Sequence, residues 1–413
     1  FNKYKIRKEL YQTEMSKTIQ DKNNHVKLRN EISAIQDTII ETRRDFHKYP
    51  ELGFEVHRTA GIVADRLKSY GIDVQTGIGK TGVVGTLKGQ KEGPTIALRA
   101  DMDALPLQET SNISYKSQND GIMHACGHDG HTAMLLGTAE ALSKQSDKIN
   151  GSVKFFFQPA EEGQGGARYM IEDGALDGVD SAYGIHLWNY QKYGTVGVKS
   201  GPIMAAADIF KITIQGTGGH GAAPQGTKDA VIIAAHLVQT FQTIVSRNTN
   251  PIESTVVTIG QINGGYNFNI IADTVILKGT TRAYTEENRQ LIKRRMEEII
   301  IGSEKIYGAK IELDYEDGYP PTINDPMATE NLLKAAKKIV GENAAGHPYL
   351  SMGGEDFSYF LQKVPGCYFL IGSLPQDKKP LSVPHHCSHF DIDERALLIG
   401  SSVYLQLVDD LLM

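Results

Sequence analysis

The sequence predicts a two-domain α/β protein: a larger α/β domain laid down in two parts, interrupted by a smaller α+β domain. Three observations predict it. A chain of 413 residues is longer than the roughly 100–200 residues typical of one domain. Short glycine-bounded apolar runs alternate with amphipathic helices over residues 28–200, the grammar of a largely parallel sheet. That grammar changes between residues 201 and 318 and resumes over 319–413.

Taken in order, Leu28, Ile32, Ile35 and Ile39 recur in steps of four, three and four, which predicts one amphipathic helix from Val26 to Phe46. Pro50 stops it, and a second helix runs from Glu55 to Tyr70 with Gly71 as its terminal glycine. Strands follow at Ile72–Val74, Val83–Leu87 and Thr95–Leu98, then a helix over Ala133–Leu142 and buried strands at Val153–Phe157 and Ala182–Leu187. In the insertion, strand Ile209–Gln215, helix Asp229–Ser246, strands Thr255–Ile262 and Val275–Tyr284, helix Glu287–Tyr307 and strand Lys310–Tyr315 give the order β-α-β-β-α-β, that of a ferredoxin-like unit. Helix Ala328–Val340, strand Cys367–Ile371 and helix Glu394–Leu411 complete the larger domain. Residues 1–27 stand apart as an N-terminal extension; 1–14, ahead of Met15, are read as an upstream segment and carry no functional argument.

Composition excludes several classes. A net charge of −6 with no basic stripe argues against nucleic acid as a partner. No apolar run approaches the roughly 18–20 residues of a membrane span. Cys126, Cys367 and Cys387 are too few and too scattered for a disulfide framework, which predicts a reducing compartment, the cytoplasm by default.

Chemistry concentrates in five segments. His124-Ala-Cys126-Gly-His128-Asp129-Gly-His131 packs cysteine, histidine and carboxylate, the ligands of borderline transition ions, into eight residues before a helix. Gly127 lets the backbone bend between Cys126 and His128. Strand Phe155-Phe156-Phe157 runs into Gln158-Pro159-Ala160-Glu161-Glu162, and adjacent carboxylates ending a buried strand are expensive unless they meet a cation or share a proton. Pointing apart, one can hold a metal and the other a water, as metallohydrolysis requires. His186 on an apolar strand, the Asp101-Met-Asp103 run, and His385-His386-Cys387-Ser388-His389 are each weak alone. Their recurrence at strand ends, where α/β sheets gather ligands, is not what incidental polar loops produce.

In their order, Arg-Ala-Asp-Met-Asp-Ala-Leu-Pro (99–106), His-x-Cys-Gly-His-Asp (124–129), Gln-Pro-Ala-Glu-Glu (158–162), Gly-x-His (184–186) and Gly-Gly-His-Gly-Ala-x-Pro (218–224) resemble the amidohydrolase branch of the aminoacylase-like metallopeptidases. The resemblance covers roughly residues 28–413 and implies a zinc-exopeptidase-like catalytic domain with a ferredoxin-like lid and dimerisation domain. It implies two divalent ions, manganese or zinc, bound by Cys126, His128, Glu162, His186 and His386. The last is chosen over His385 because the family's ligand stands four residues before an aromatic, here Phe390; Ser388 departs from the family's usual proline. Glu161 is implied as general base and then general acid, and Asp103 as the carboxylate that orients a ligand histidine. Asp101 is not assigned as a ligand. On the lid, His220 is implied to polarise the scissile carbonyl, often from a neighbouring subunit, and Asn269 and Arg282 to bind the substrate carboxylate. The Gly353-Gly354-Glu355-Asp356-Phe357 loop is expected to wall the pocket. The expected activity is hydrolysis of N-acyl amino acids or short peptides by a homodimer. An aminopeptidase or dipeptidase, and a catalytically silent ligand-binding homologue, remain as alternatives.

Overall fold

The computed structural model describes residues 25–413 and divides into two compact units, one formed by the chain up to Gly201 with Asn324–Tyr349 and Phe360–Met413, the other by Pro202–Ile323 with Leu350–Tyr359. The N-terminal extension lies outside the described residues as far as residue 24.

In the first unit, helix α1 (Gln36–Lys48) buries Ile39, Arg43, Phe46 and His47 on one stripe. The single helix expected from Val26 is broken: a short turn, Asn30–Ser33, precedes α1, and Ile35 (φ −120°, ψ 17°) lies outside helical geometry. Arg29 accounts for the break, since its guanidinium donates to Gln406 and Asp409 and holds this turn on the last helix of the chain. Helix α2 (His57–Ser69) leads into β1 (Asp73–Ile78), β2 (Gly82–Lys88) and β3 (Lys91–Asp101). Helix α3 runs His128–Ser143, with all but Glu140 and Ser143 buried, so it is a central helix rather than a surface one. It starts five residues before the expected Ala133, because Gly127 (φ +93°) ends the loop there and Asp129 and His131 of the first turn are buried with partners. A Cβ on Gly130 would stand 2.5 Å from Leu187 Cδ1, so glycine permits the close approach of α3 to the sheet. Strands β4 (Asn150–Gln158), β5 (Ser181–Lys192) and β6 (Val196–Gly197) follow.

The second unit runs β7 (Ala206–Gln215), α4 (Ala230–Thr243), β8 (Thr255–Gly264), β9 (Thr274–Ala283), α5 (Glu286–Tyr307) and β10 (Lys310–Tyr319). This is the β-α-β-β-α-β order legible in the sequence. Its sheet is antiparallel in the order β8-β9-β7-β10. Phe210, Ile212 and Ile214 alternate inward from β7 onto Leu237 and Phe241 of α4 and Ile292 and Met296 of α5. Asp229 and Thr285 cap the two helices by accepting from Val231 and Asn288 amides. Buried Asp208 accepts from Arg289 (2.6 Å), the Tyr315 hydroxyl (2.9 Å) and the Gly318 amide (2.9 Å), so its charge is fully met.

The chain then returns to the first unit with α6 (Pro326–Val340), β11 (Gly366–Leu374) and α7 (Arg395–Leu412). The sheet order is β1-β2-β4-β3-β5-β11-β6. Its centre, β4-β3-β5-β11, is parallel, as expected; β1, β2 and β6 make antiparallel edges that short apolar runs could not reveal. The parallel centre matters because the carboxyl ends of β3, β4 and β5 meet there. Among the described residues no helix is long and apolar enough to cross a membrane. Helix α7 is tied to the sheet by the buried Tyr404 hydroxyl, which donates 2.8 Å to Arg99 O and lies 3.2 Å from Tyr183 O. Tyr404→Phe removes this hydrogen bonding and is expected to lower stability by about 1–2 kcal/mol in denaturant unfolding. An unchanged midpoint would show that the hydroxyl does not brace α7.

Candidate metal centre

The carboxyl end of β3 supplies Asp101 and Asp103, that of β4 supplies Glu161 and Glu162, and β5 supplies His186. The Cys126-Gly127-His128 turn crosses in front of them. After β4 the chain turns sharply at Ala160, a non-glycine residue in the left-handed region (φ +56°). The turn is held by Asp103, whose two carboxylate oxygens accept the Glu161 and Glu162 amides at 3.0 Å each. Asp103 also lies 3.5 Å from His128 Nδ1, so one carboxylate orients both the glutamate turn and a histidine.

Potential ligand atoms include two triads that share one sulfur, Cys126 with His128 and His186, and Cys126 with Glu162 and His386, each within 4.8 Å; Asp101, His128 and His131 form a further group. Glu161 groups with His128 and Glu162 beside them. Cys126 Sγ lies 3.4 Å from His186 Nε2, and His386 Nε2 lies 3.2 Å from Glu162 Oε1. His186 donates Nδ1–H to the Leu187 carbonyl, which leaves Nε2 as the coordinating nitrogen. His386 is also left-handed (φ +61°), and its amide donates to Ala125 O at 2.8 Å, so the C-terminal loop is pinned to the cysteine loop.

The two C-terminal histidines differ in what their nitrogens do. Half-buried His385 accepts the Asn189 amide on Nε2 (3.1 Å), so in the neutral ring the proton sits on Nδ1, 3.7 Å from Cys126 Sγ. It is thereby a donor to the cysteine sulfur, whereas His386 offers a nitrogen among Cys126 and Glu162.

Electrostatics favour a cation here. Burial pushes His128 down, yet Asp101, Asp103 and Glu162 raise it to about 10, so the pocket is negative enough to hold a proton on a fully buried imidazole. Burial, reinforced by neighbouring histidines, pushes His186 and His385 well below the usual histidine range. Both His128 ring nitrogens and Glu162 Oε1 are buried without a hydrogen bond. Such atoms are costly in a protein interior unless a ligand meets them, and this set of S, N and O donors fits a divalent transition ion.

Sequence reasoning missed the support behind the cysteine loop. Arg43 Nε donates to Asp129 (2.8 Å), His47 Nδ1 meets the same carboxylate (2.8 Å), His47 Nε2 lies 3.4 Å from Glu109, and Arg43 also reaches Glu394 (3.2 Å). Arg43 and Asp129 are fully buried as an ion pair. Burial opposes the charge on Asp129, but Arg43 and His47 hold its carboxyl far below the usual range. The signal was present in α1: Arg43 and His47 occupy the stripe set by Ile39 and Phe46, where a polar residue must be partnered.

In the second unit, His220 pairs with Ile270 across a two-residue ladder, and Asn269 O accepts the Gly221 amide, so His220 and Asn269 line one open pocket with Tyr266 and Asp273. Arg282, on β9, is not in that lining; it is half-buried, and its guanidinium donates to Thr281 O. The 353–357 loop belongs to this unit, with Glu355, Asp356 and Phe357 buried.

Residues 97–410, from β3 to the end of α7, match the profile of peptidase family M20/M25/M40. The chain belongs to that family. Among its M20 relatives, a thermostable carboxypeptidase 2 of Saccharolobus solfataricus is 44% identical over 91% of this chain and 95% of its own length. An N-acetyl-L-cysteine deacetylase of Bacillus subtilis is 41% identical over 93% of this chain and 89% of its own. The crystal structure of the Bacillus subtilis YxeP protein, described as a dinuclear metal binding peptidase from the M20 family, superposes with a TM-score of 0.79 at 34% identity, covering 91% of this chain and 98% of that one. This M20 chain is thus a metal-dependent hydrolase of carbon–nitrogen bonds.

The nitrogen assignments separate the two histidines experimentally. His386→Ala is expected to bind one divalent ion fewer per chain by elemental analysis, and His385→Ala to keep the wild-type number. The reverse pattern would reassign the ligand.

Proposed function

We propose that this chain is an N-acyl-amino-acid amidohydrolase that releases a free amino acid and a carboxylic acid, working with two divalent ions, manganese or zinc, per subunit. The observation that carries the reading is the pair of donor triads sharing Cys126, with Glu161 beside them and Asp103 beneath both glutamates. Cys126, His128, Glu162, His186 and His386 would hold the ions, which supply Lewis acidity toward water and the amide carbonyl.

Glu161 takes the proton of the attacking water and returns it to the leaving amine. It does so from a buried position (6% exposed), out of bulk water. Asp103 keeps it there by holding its amide. The second unit is read as a ferredoxin-like lid, with His220 donating a hydrogen bond to the carbonyl oxygen as it becomes an oxyanion. Asn269 and Arg282 bind the substrate carboxylate, Arg282 by its planar fork. A homodimer delivering His220 to its neighbour is supported by exposed Tyr266 (68%) and Ile270 (46%) in the lining of the His220 pocket, with Phe268 (97%) close in sequence, apolar surface that a second copy would cover. The three free cysteines support a cytoplasmic setting. A peptidase reading within the family is favoured by the carboxypeptidase relative and differs only in what lies beyond the scissile amide.

Glu161→Gln is expected to retain both ions but lose about 10²–10⁴-fold in kcat. Unchanged turnover would remove Glu161 from the chemistry. Chelation should abolish hydrolysis of acetyl-, benzoyl- and indolyl-amino acids, with manganese or zinc restoring it. In the same screen, turnover of dipeptides alone would favour the peptidase.

A further inference from the structure

The eight-residue cluster that opens α3 contains His131, a histidine outside both donor triads that share Cys126. It lies one turn after His128, fully buried, and each ring nitrogen has a partner. Nε2 receives the Leu187 amide at 2.8 Å. Since a backbone N–H can only donate, Nε2 carries no proton, and the proton of the neutral ring sits on Nδ1, directed at Asp101 Oδ1 2.5 Å away. Asp101 is held from its other side by Arg99 (2.7 Å), and its carbonyl accepts the Thr132 hydroxyl (2.8 Å).

The amide that His131 grips is the peptide joining His186 to Leu187. The same residue pair fixes the ring of His186, whose Nδ1–H donates to Leu187 O while Nε2 faces Cys126. His131 also packs against that ring, with centroids 4.5 Å apart and planes at 66°. A continuous chain of hydrogen bonds therefore runs from Arg99 through Asp101 and His131 to the Leu187 amide, next to His186. We propose that His131 is a positioning residue: as a neutral acceptor for Leu187 N–H it aims His186 and so governs the ion of the Cys126–His128–His186 triad, leaving that of the Cys126–Glu162–His386 triad unaffected. The inference rests on the two-ion reading above.

The test uses full-length protein stripped of metal and titrated with zinc(II) by calorimetry, with anomalous diffraction reporting which triad is filled. Asparagine at 131 can still donate to Asp101 but ends short of Leu187 N–H; glutamine reaches it with its carbonyl oxygen. His131→Asn is expected to weaken the ion of the His186 triad by about 10–100-fold and leave the other affinity unchanged. His131→Gln should recover most of the loss. A residue that only fills space would lower both affinities together, or neither, and either result overturns the proposal. If His131→Asn does not fold, a folded His131→Gln with a weakened His186 triad overturns it equally. A wild-type protein taking up no zinc overturns the two-ion reading and this inference with it, whereas two tight ions in wild type with uniform losses in the variants overturns this inference alone.

Discussion

Four carboxylates, Asp101, Asp103, Glu161 and Glu162, converge at the carboxyl ends of β3 and β4, none with a side chain more than 16% exposed where the ion pairs report it. Taking them out of water costs several kcal/mol per ion unless opposite charge is supplied. Arg99 supplies one positive charge, to Asp101. With the Cys126 thiolate, the negative charge of this site exceeds what Arg99 supplies, an excess that divalent cations would offset. The same imbalance raises the His128 pKa to about 10 against the opposing effect of burial.

Much of the first unit can be read as the apparatus that keeps these charges together. The parallel centre of the sheet brings the strand ends side by side, which an antiparallel arrangement would not do. Ala160 and His386 accept left-handed backbone at the two points where the chain must turn its donors inward, a strain that costs about 1–3 kcal/mol at each site. Behind the cysteine loop, Arg43, His47, Asp129 and Glu109 form a second buried polar cluster. Breaking a pair of this kind leaves an uncompensated buried charge, so the cluster fixes the loop more by the penalty of losing a partner than by the gain of having one.

How much of this was legible in the sequence follows from what each signal depends on. Strand and helix order was legible because it rests on local periodicity. The same holds for the cysteine loop, the glutamate pair and Asp103, where unusual residue types stand at strand ends. The start of α3 at His128 was not, because its first turn is polar and only tertiary pairing lets it be buried. Arg43 and His47 were written in the α1 stripe, but the apolar periodicity alone did not single them out. The roles of His385 and His131 were beyond the sequence altogether: both depend on which backbone amide, Asn189 or Leu187, meets which ring nitrogen, and those partners are 196 and 56 residues away. Family resemblance separated His386 from His385 by spacing to Phe390; the hydrogen bonds distinguish them by chemistry.

The central claim is that Cys126 is shared by two ions. X-ray absorption fine structure of the zinc-loaded protein tests it most directly. A shared thiolate predicts one sulfur scatterer for every zinc together with a zinc–zinc vector, both lost in Cys126→Ser. Half a sulfur for each zinc, or no metal–metal scattering at two equivalents, would contradict it.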